Sequence, residues 1–207
     1  MLDSFSGSIA GLLLGATGLV LVLIGFGYWT GASSTRKGLQ GEQTVASELS
    51  YLNDEFLLLN DVMLPGGRGN IDHILIGPTG VFVVETKNYS GKYVCYGDRW
   101  FFQGVRHKYD APSVSAQAKN NATTLASLLH GSGFTVDVNP VIVFTHPSIH
   151  LWLHKPSVPV LKSGTVCNFL LNQRPRFQLS GPYSEKVAEK ILLTDKTRHI
   201  QPLCLGD

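Results

Sequence analysis

Asn70-Ile71-Asp72-His73-Ile74-Leu75-Ile76, Gly77-Pro78-Thr79-Gly80 and Val81-Phe82-Val83-Val84-Glu85-Thr86-Lys87-Asn88 follow one another without a break, and their reading decides the fold. Two β-branched runs flank a Gly-Pro-Thr-Gly turn, which predicts an antiparallel hairpin of strands Ile71–Ile76 and Val81–Val84. Side chains alternate faces along a strand, so Glu85 and Lys87 point one way while Val84 and Thr86 point the other. Asp72 lies on the first strand, where pairing brings it beside Glu85. Glu and Lys have poor strand propensity, and here they follow apolar residues bound for a core.

Two carboxylates and a lysine at one end of a sheet suit metal-dependent hydrolysis. Asp72 and Glu85 offer hard oxygen ligands to Mg²⁺ or Mn²⁺, and the backbone carbonyl of Thr86 is a further candidate ligand. Lys87 can orient or help deprotonate an attacking water and offset charge on phosphorus. Glu42, on an expected first helix, can complete the shell. Asn88, Tyr89 and Lys92 come next in the chain and are candidates for contact with substrate phosphates. A structural reading stays open on spacing alone: a Glu85–Lys87 ion pair on an exposed sheet edge, with Asp72 as a turn residue after Pro65-Gly66-Gly67-Arg68-Gly69.

Working outward, Val45, Leu49 and Leu52 give helical spacing over Leu39–Leu52. Phe56–Leu59 reads as a short strand. Tyr93–Tyr96 and Trp100–Phe102, split by Gly97-Asp98, predict a further hairpin. Ser113–His130 predicts a helix closed by Gly131, and Val141–Phe144 a buried strand between Pro140 and Pro147. Helices are expected at Val166–Leu171 and Ser184–Leu193. This mixed order implies an α/β sandwich with a central mixed β-sheet flanked by helices. Trp100, Phe101 and Phe102 are expected to pack in the core, with Arg99, Arg106, His107 and Lys108 as the best local patch for a nucleic-acid backbone. His73 is read as a packed or surface residue. His150 and His154 are four apart but lack the helical context of a metal pair.

The N-terminus is of another kind. Ser4 to Thr35 carries no charged residue, and Ile9–Trp29 has about the length that crosses ~30 Å of hydrocarbon as a helix. Arg36 and Lys37 follow it, whereas the other flank carries Asp3 and no Lys or Arg, so the positive-inside bias puts the C-terminal bulk in the cytoplasm. The expected organisation is residues 1–8 outside the cytoplasm, 9–29 a transmembrane helix, 30–38 a linker and 39–207 a cytoplasmic domain, anchored single-pass in the cell membrane. Gly7, Gly11 and Gly15 recur at a spacing that lets two such helices meet in a homodimer. The hydrophobic content of 43% against 15% charged residues reflects this segment; a formal net charge of +2 is a weak pointer to an anionic partner, and the linear sequence shows no clustered basic stripe of a dedicated nucleic-acid grip. Cys95, Cys167 and Cys204 are too far apart for a zinc or redox pair and suit a reducing compartment.

Gly41-Glu42, Asn70-Ile71-Asp72-His73-Ile74, Gly80 through Tyr89 and then Gly91 together resemble the nuclease-related domain (NERD) family, over roughly Gly38 to Pro147. That family is placed with the PD-(D/E)XK, restriction-endonuclease-like nucleases. The resemblance implies a restriction-endonuclease-like core, with Asp72, Glu85 and Lys87 at catalytic positions and Glu42 as the helix carboxylate. Gln117 falls where such proteins carry a polar helix residue. The expected activity is Mg²⁺-dependent hydrolysis of phosphodiester bonds, in DNA rather than RNA. The alternatives are a module on the same fold that binds nucleic acid or protein without cutting, and a membrane scaffold assembled by its glycine-lined helix.

Overall fold

A computed structural model describes residues 35–175 and 178–197. The segment Ile9–Trp29, expected to span a membrane, lies outside the described residues. Among those described, no helix is long and apolar enough to cross a membrane. The chain separates into two units, Met1–Leu39 and Gln40–Asp207, and both sheets and the candidate site belong to the second.

The first helix, α1, is described over residues 35–49. It is therefore already under way before Gly41-Glu42, and residues 35–38, expected as linker, are helical. The remaining elements are β1 (Leu57–Val62), β2 (Ile71–Gly77), β3 (Gly80–Lys87), β4 (Gly91–Tyr96), β5 (Arg99–Gln103), β6 (Lys108–Ala111), α2 (Val114–Gly131), β7 (Val138–Phe144), β8 (Ile149–His154), β9 (Val160–Lys162), α3 (Val166–Leu171) and α4 (Gly181–Thr194).

The expected hairpin is β2–β3, antiparallel, with Gly77 opposite Gly80 and Gly80 at φ +124°, a conformation that glycine adopts without a Cβ penalty. It sits in a five-stranded sheet of order β1-β2-β3-β7-β9, antiparallel from β1 to β3 and parallel across β3-β7-β9. Strand β7 begins earlier than the apolar run and takes in Pro140. Its pairing with β9 starts only at Ile142, so on that flank Pro140 faces no strand and its missing N–H breaks no ladder.

One central sheet was expected, and the structure has two. The second is four-stranded, of order β6-β5-β4-β8, with β4 and β8 parallel. The β4–β5 hairpin is thus not an appendage but the middle of a layer completed by a strand far along the chain.

The first sheet is covered on both faces. Val45 and Leu49 of α1 and Val166 and Leu170 of α3 pack on Leu75, Phe82, Val84, Val141 and Val143. On the other face, Leu125 and Leu129 of α2 and Val187 and Ile191 of α4 pack on Ile74, Ile76, Val81 and Val83. The start of α2 turns to the second sheet, where Val114 and Ala118 join Cys95, Trp100, Ile142 and Phe144. Each fully buried Leu, Ile or Phe adds ~1.5–3 kcal/mol, so the two clusters that include α2 fix how both sheets sit on that helix.

Gly41 is where α1 comes closest to the sheet end. A Cβ there would lie 2.9 Å from Asn88 Cβ and 3.0 Å from Thr145 Oγ1. The neighbouring Glu42 owes its place to this approach. Gly41→Val should push α1 off its seat at a cost of about 1–3 kcal/mol, seen as a lower midpoint in urea unfolding. An unchanged midpoint would show that the contact does not position the helix.

Candidate active site

The β2–β3 ladder stops at the His73–Val84 pair, so the two strands part just where Asp72 and Glu85 begin. Beyond this point β3 continues only against β7, through Glu85–Ile142, Thr86–Val143 and Lys87–Phe144. The freed N–H of Thr86 donates to Asp72 Oδ2 at 2.7 Å, so the carboxylate itself bridges the gap. Glu85, fully buried, accepts from Lys87 Nζ at 2.6 Å on Oε1 and from Asn121 Nδ2 at 3.1 Å on Oε2. The Lys87 side chain keeps 15% of its surface exposed and covers the carboxylate beneath it.

Electrostatics follow from this crowding. Burial raises the pKa of Asp72, the charge of Glu85 adds to it, and the Thr86 N–H and Lys87 take back only part, leaving it at about 7. Burial likewise raises Glu85, against the charge and hydrogen bond of Lys87. Burial pulls Lys87 down, but Glu85 more than reverses the effect, so the ammonium form is favoured. Glu42 is raised by its partial burial and by the charges of Asp72 and Asp61. Four carboxylates therefore press on one another, with Lys87 opposing them.

The expected residues divide into those the fold gathers and those it does not. Asp72, Glu85 and Lys87 converge, and Glu42 lies within electrostatic reach. Glu42 does not close a cage, since no group of three acidic, His or Cys side chains among the described residues is arranged to hold a metal. Thr86 contributes its N–H to Asp72, and its hydroxyl is buried without a partner. Gln117 is exposed on α2, and the contact with Glu85 is made one turn later by Asn121. Asn88 lies against Gly41. Tyr89 is packed, with its ring centroid 5.6 Å from Tyr93 and 6.1 Å from Phe144. Lys92 is exposed on β4.

Two residues escaped the sequence reading. Asn121 carried a signal: it interrupts the apolar stripe of Val114, Ala118, Ala122 and Leu125 with a buried amide. Asp61 adopts φ 55°, a left-handed conformation rare outside glycine, and accepts from Asn70 Nδ2 at 2.5 Å. His73 turns away from the site, as alternation required. Its Nδ1 lies 2.7 Å from Asn60 Oδ1, and burial lowers its pKa to about 4. A cavity of about 440 Å³ opens at the opposite end of the sheet, beside Gly80, Val81, Asn139 and Arg174. Asp137 lines it, but Glu42, Asp61, Asp72 and Glu85 do not.

The donor chemistry fits a hard divalent cation. Mg²⁺ binds through one or two carboxylates and keeps waters or substrate oxygens in its other positions, so the Asp72–Glu85 pair meets that demand without a third protein ligand. Repulsion between the two carboxylates is the energetic reason that a cation is favoured there.

The nuclease-related domain, NERD, matches residues 37–145. This chain belongs to the nuclease-related domain family. Glu42, Asp61, Asp72, Glu85, Lys87 and Asn121 all lie within the NERD match, whereas β8, β9, α3 and α4 lie beyond it. The chain is also similar to an uncharacterized protein of Bacillus anthracis, 48% identical over 59 residues that cover 27% of this chain and 28% of that one. No solved structure matches it.

A pH test follows from the raised pKa of Asp72. The folded state holds that proton more tightly than the unfolded chain does, so this group's contribution falls as pH rises from about 4 to about 7. His73 acts in the other direction: its depressed pKa removes stability as pH falls from about 6.5 to about 4. Asp72→Asn keeps an oxygen for the Thr86 N–H and removes only the first effect. In EDTA at pH 8 the variant should melt higher than the parent, by about 2–4 °C for each kcal/mol gained in a domain of this size, and the gap should close near pH 4. A variant that melts lower at pH 8 would contradict the electrostatic reading.

Proposed function

We propose that this chain is a membrane-anchored, metal-dependent nuclease that hydrolyses phosphodiester bonds, in DNA rather than RNA, on a restriction-endonuclease-like core. The observation that carries the reading is the convergence of Asp72, Glu85 and Lys87 where β2 and β3 part. A structural ion pair has no need of a second buried carboxylate whose proton affinity is raised by the first. Family membership supports a nuclease-related role, and the mixed sheet flanked by helices is consistent with the proposed core.

Asp72 and Glu85 would hold Mg²⁺ or Mn²⁺, which when bound supplies Lewis-acid activation of water and phosphate. Lys87, held as an ammonium by Glu85, provides a positive charge for a phosphate oxygen rather than a base for water. Asn121 fixes the rotamer of Glu85 from below, and the Thr86 N–H fixes that of Asp72. Glu42, whose raised proton affinity comes from burial and the acidic neighbours, stands as an acid or base at the margin of the site. Water is the nucleophile, so no covalent enzyme intermediate forms. The apolar Ile9–Trp29 segment would anchor the catalytic domain on the cytoplasmic face of the cell membrane.

A second reading has one observation in its favour: Glu85 is fully buried, with both oxygens already hydrogen-bonded. On that reading the acidic centre is closed, and the domain binds nucleic acid or protein without cutting.

The detergent-solubilised chain should nick plasmid or degrade linear DNA with Mg²⁺ or Mn²⁺, and Asp72→Ala or Lys87→Ala should slow this by about 10²-fold or more. Activity that survives both changes excludes the mechanism. Lys87→Met should separate the two readings further. Removing the ammonium leaves Glu85 free for a cation, so Mn²⁺ binding by calorimetry should persist or tighten while cleavage is lost. Absence of Mn²⁺ binding in parent and variant alike would favour the closed centre. Deletion of residues 1–34 should release the chain from the membrane fraction.

A further inference from the structure

The second sheet has one face that the catalytic reading leaves unused. Its inner face packs Cys95 and Trp100 on α2 and β7. Alternation puts Lys92, Val94 and Tyr96 of β4 on the outer face, and the strand registers set Phe101 of β5 and Trp152 of β8 on either side of Val94. At its centre Val94 is buried among its neighbours, whereas Tyr96 is 46% exposed and Trp152 45% exposed.

The rings come with cations. Arg99 lies over the Phe101 ring at 5.2 Å, and Lys108 over the Tyr96 ring at 5.4 Å. Tyr96 also stacks on His154, with centroids 4.5 Å apart and planes 9° off parallel. Against Lys92, Arg99 and Lys108, the strand registers give this face one acidic residue, Asp110, opposite Phe101. Flat rings interleaved with ammonium and guanidinium groups match a polyanion that carries planar groups of its own.

We propose that this outer face binds single-stranded nucleic acid, with a base stacking on the exposed Trp152 ring, further bases on the Phe101 and Tyr96 rings once Arg99 and Lys108 swing from them to the phosphates, and Lys92 meeting a further phosphate. A duplex hides its base faces in its own stack and cannot use the rings. A lipid surface would be met by apolar side chains alone, whereas here two of the rings carry cations over them. Strand β4 starts at Gly91, a few residues beyond Lys87, so Lys92 marks the end of the platform nearest the acidic centre. A strand lying from Tyr96 towards Lys92 is thus led to Asp72 and Glu85. Binding stands on the platform alone, and only that delivery rests on the nuclease reading.

The test uses the full chain in non-ionic detergent with EDTA, and anisotropy of a fluorescein-labelled oligothymidylate against a duplex of equal length. The parent should prefer the single strand. Tyr96→Leu with Trp152→Ala should weaken its binding by about tenfold or more, and Trp152→Phe should restore most of the Trp152 share. Arg99→Gln with Lys108→Gln should lower the slope of log affinity against log salt by about 1.4. Cleavage is read separately with Mg²⁺, where Asp72→Asn should abolish it, so lost binding in the ring variants reports on the platform and lost cleavage on the acidic centre. Equal affinity in the Tyr96/Trp152 variant, or a parental preference for duplex, would overturn the proposal. So would complete displacement of the oligonucleotide by phosphatidylserine in the micelles, which would make the face a lipid contact.

Discussion

Everything at the acidic centre depends on one hydrogen bond, from the Thr86 N–H to the carboxylate of Asp72. An antiparallel pair that separates must leave backbone donors without their ladder partners, and a buried N–H left unpaired costs as much as a lost hydrogen bond. Here a side chain takes the place of a strand. The bond holds Asp72 at the mouth of the gap and lets β3 carry on alone against β7, which brings Glu85 and Lys87 past the end of β2. The parting of the strands and the convergence of the ionisable groups are one event.

Burial and charge then compete. Glu85 lies fully out of water, which by itself favours its neutral form, yet it also receives an ammonium and an amide. Breaking such a buried pair by removing one partner is commonly worse than never having had it. Lys87 and Asn121 are in that sense conditions for the carboxylate to exist where it does. Asp72 has one backbone donor and the charge of Lys87 against burial and the charges of Glu85 and Asp61, and its proton affinity stays raised.

The hairpin was legible because two local signals agree: β-branched alternation on each side and a turn that needs glycine at Gly80. Alternation put Glu85 and Lys87 on one face, hairpin pairing brought Asp72 beside them, and the family resemblance supplied the catalytic reading of all three. Strand ends were less legible. Glu85-Thr86-Lys87 looks like the close of an apolar run, and only pairing with β7 keeps it in the sheet. Lys108–Ala111 has no apolar period at all and is a strand because β5 offers its edge. Ile149-His150-Leu151-Trp152-Leu153-His154 does alternate, but its partner β4 lies far back in the chain, and no local rule names a distant partner. Gln117 rests on the family resemblance and is exposed on α2, whereas what marks Asn121 is its place inside the apolar stripe. Of the aromatic trio, Trp100 went to the core as expected, whereas Phe101 faces outward and Phe102 is 37% exposed.

The parallel pairing of β4 with β8, Gly91 opposite Ile149 and Tyr96 opposite His154, has a consequence for biosynthesis. A polypeptide emerges from the ribosome in order, and the hairpin that carries the acidic residues can close as soon as it appears. Strand β4 must wait for the chain as far as His154, with an unsatisfied edge that includes Val94 and Cys95. Long-range parallel closure of this kind is slow, and open edges of nascent chains invite mispairing. An interval of exposed strand edge therefore runs from translation of Tyr96 to release of His154, overlapping the one in which β3 waits for β7.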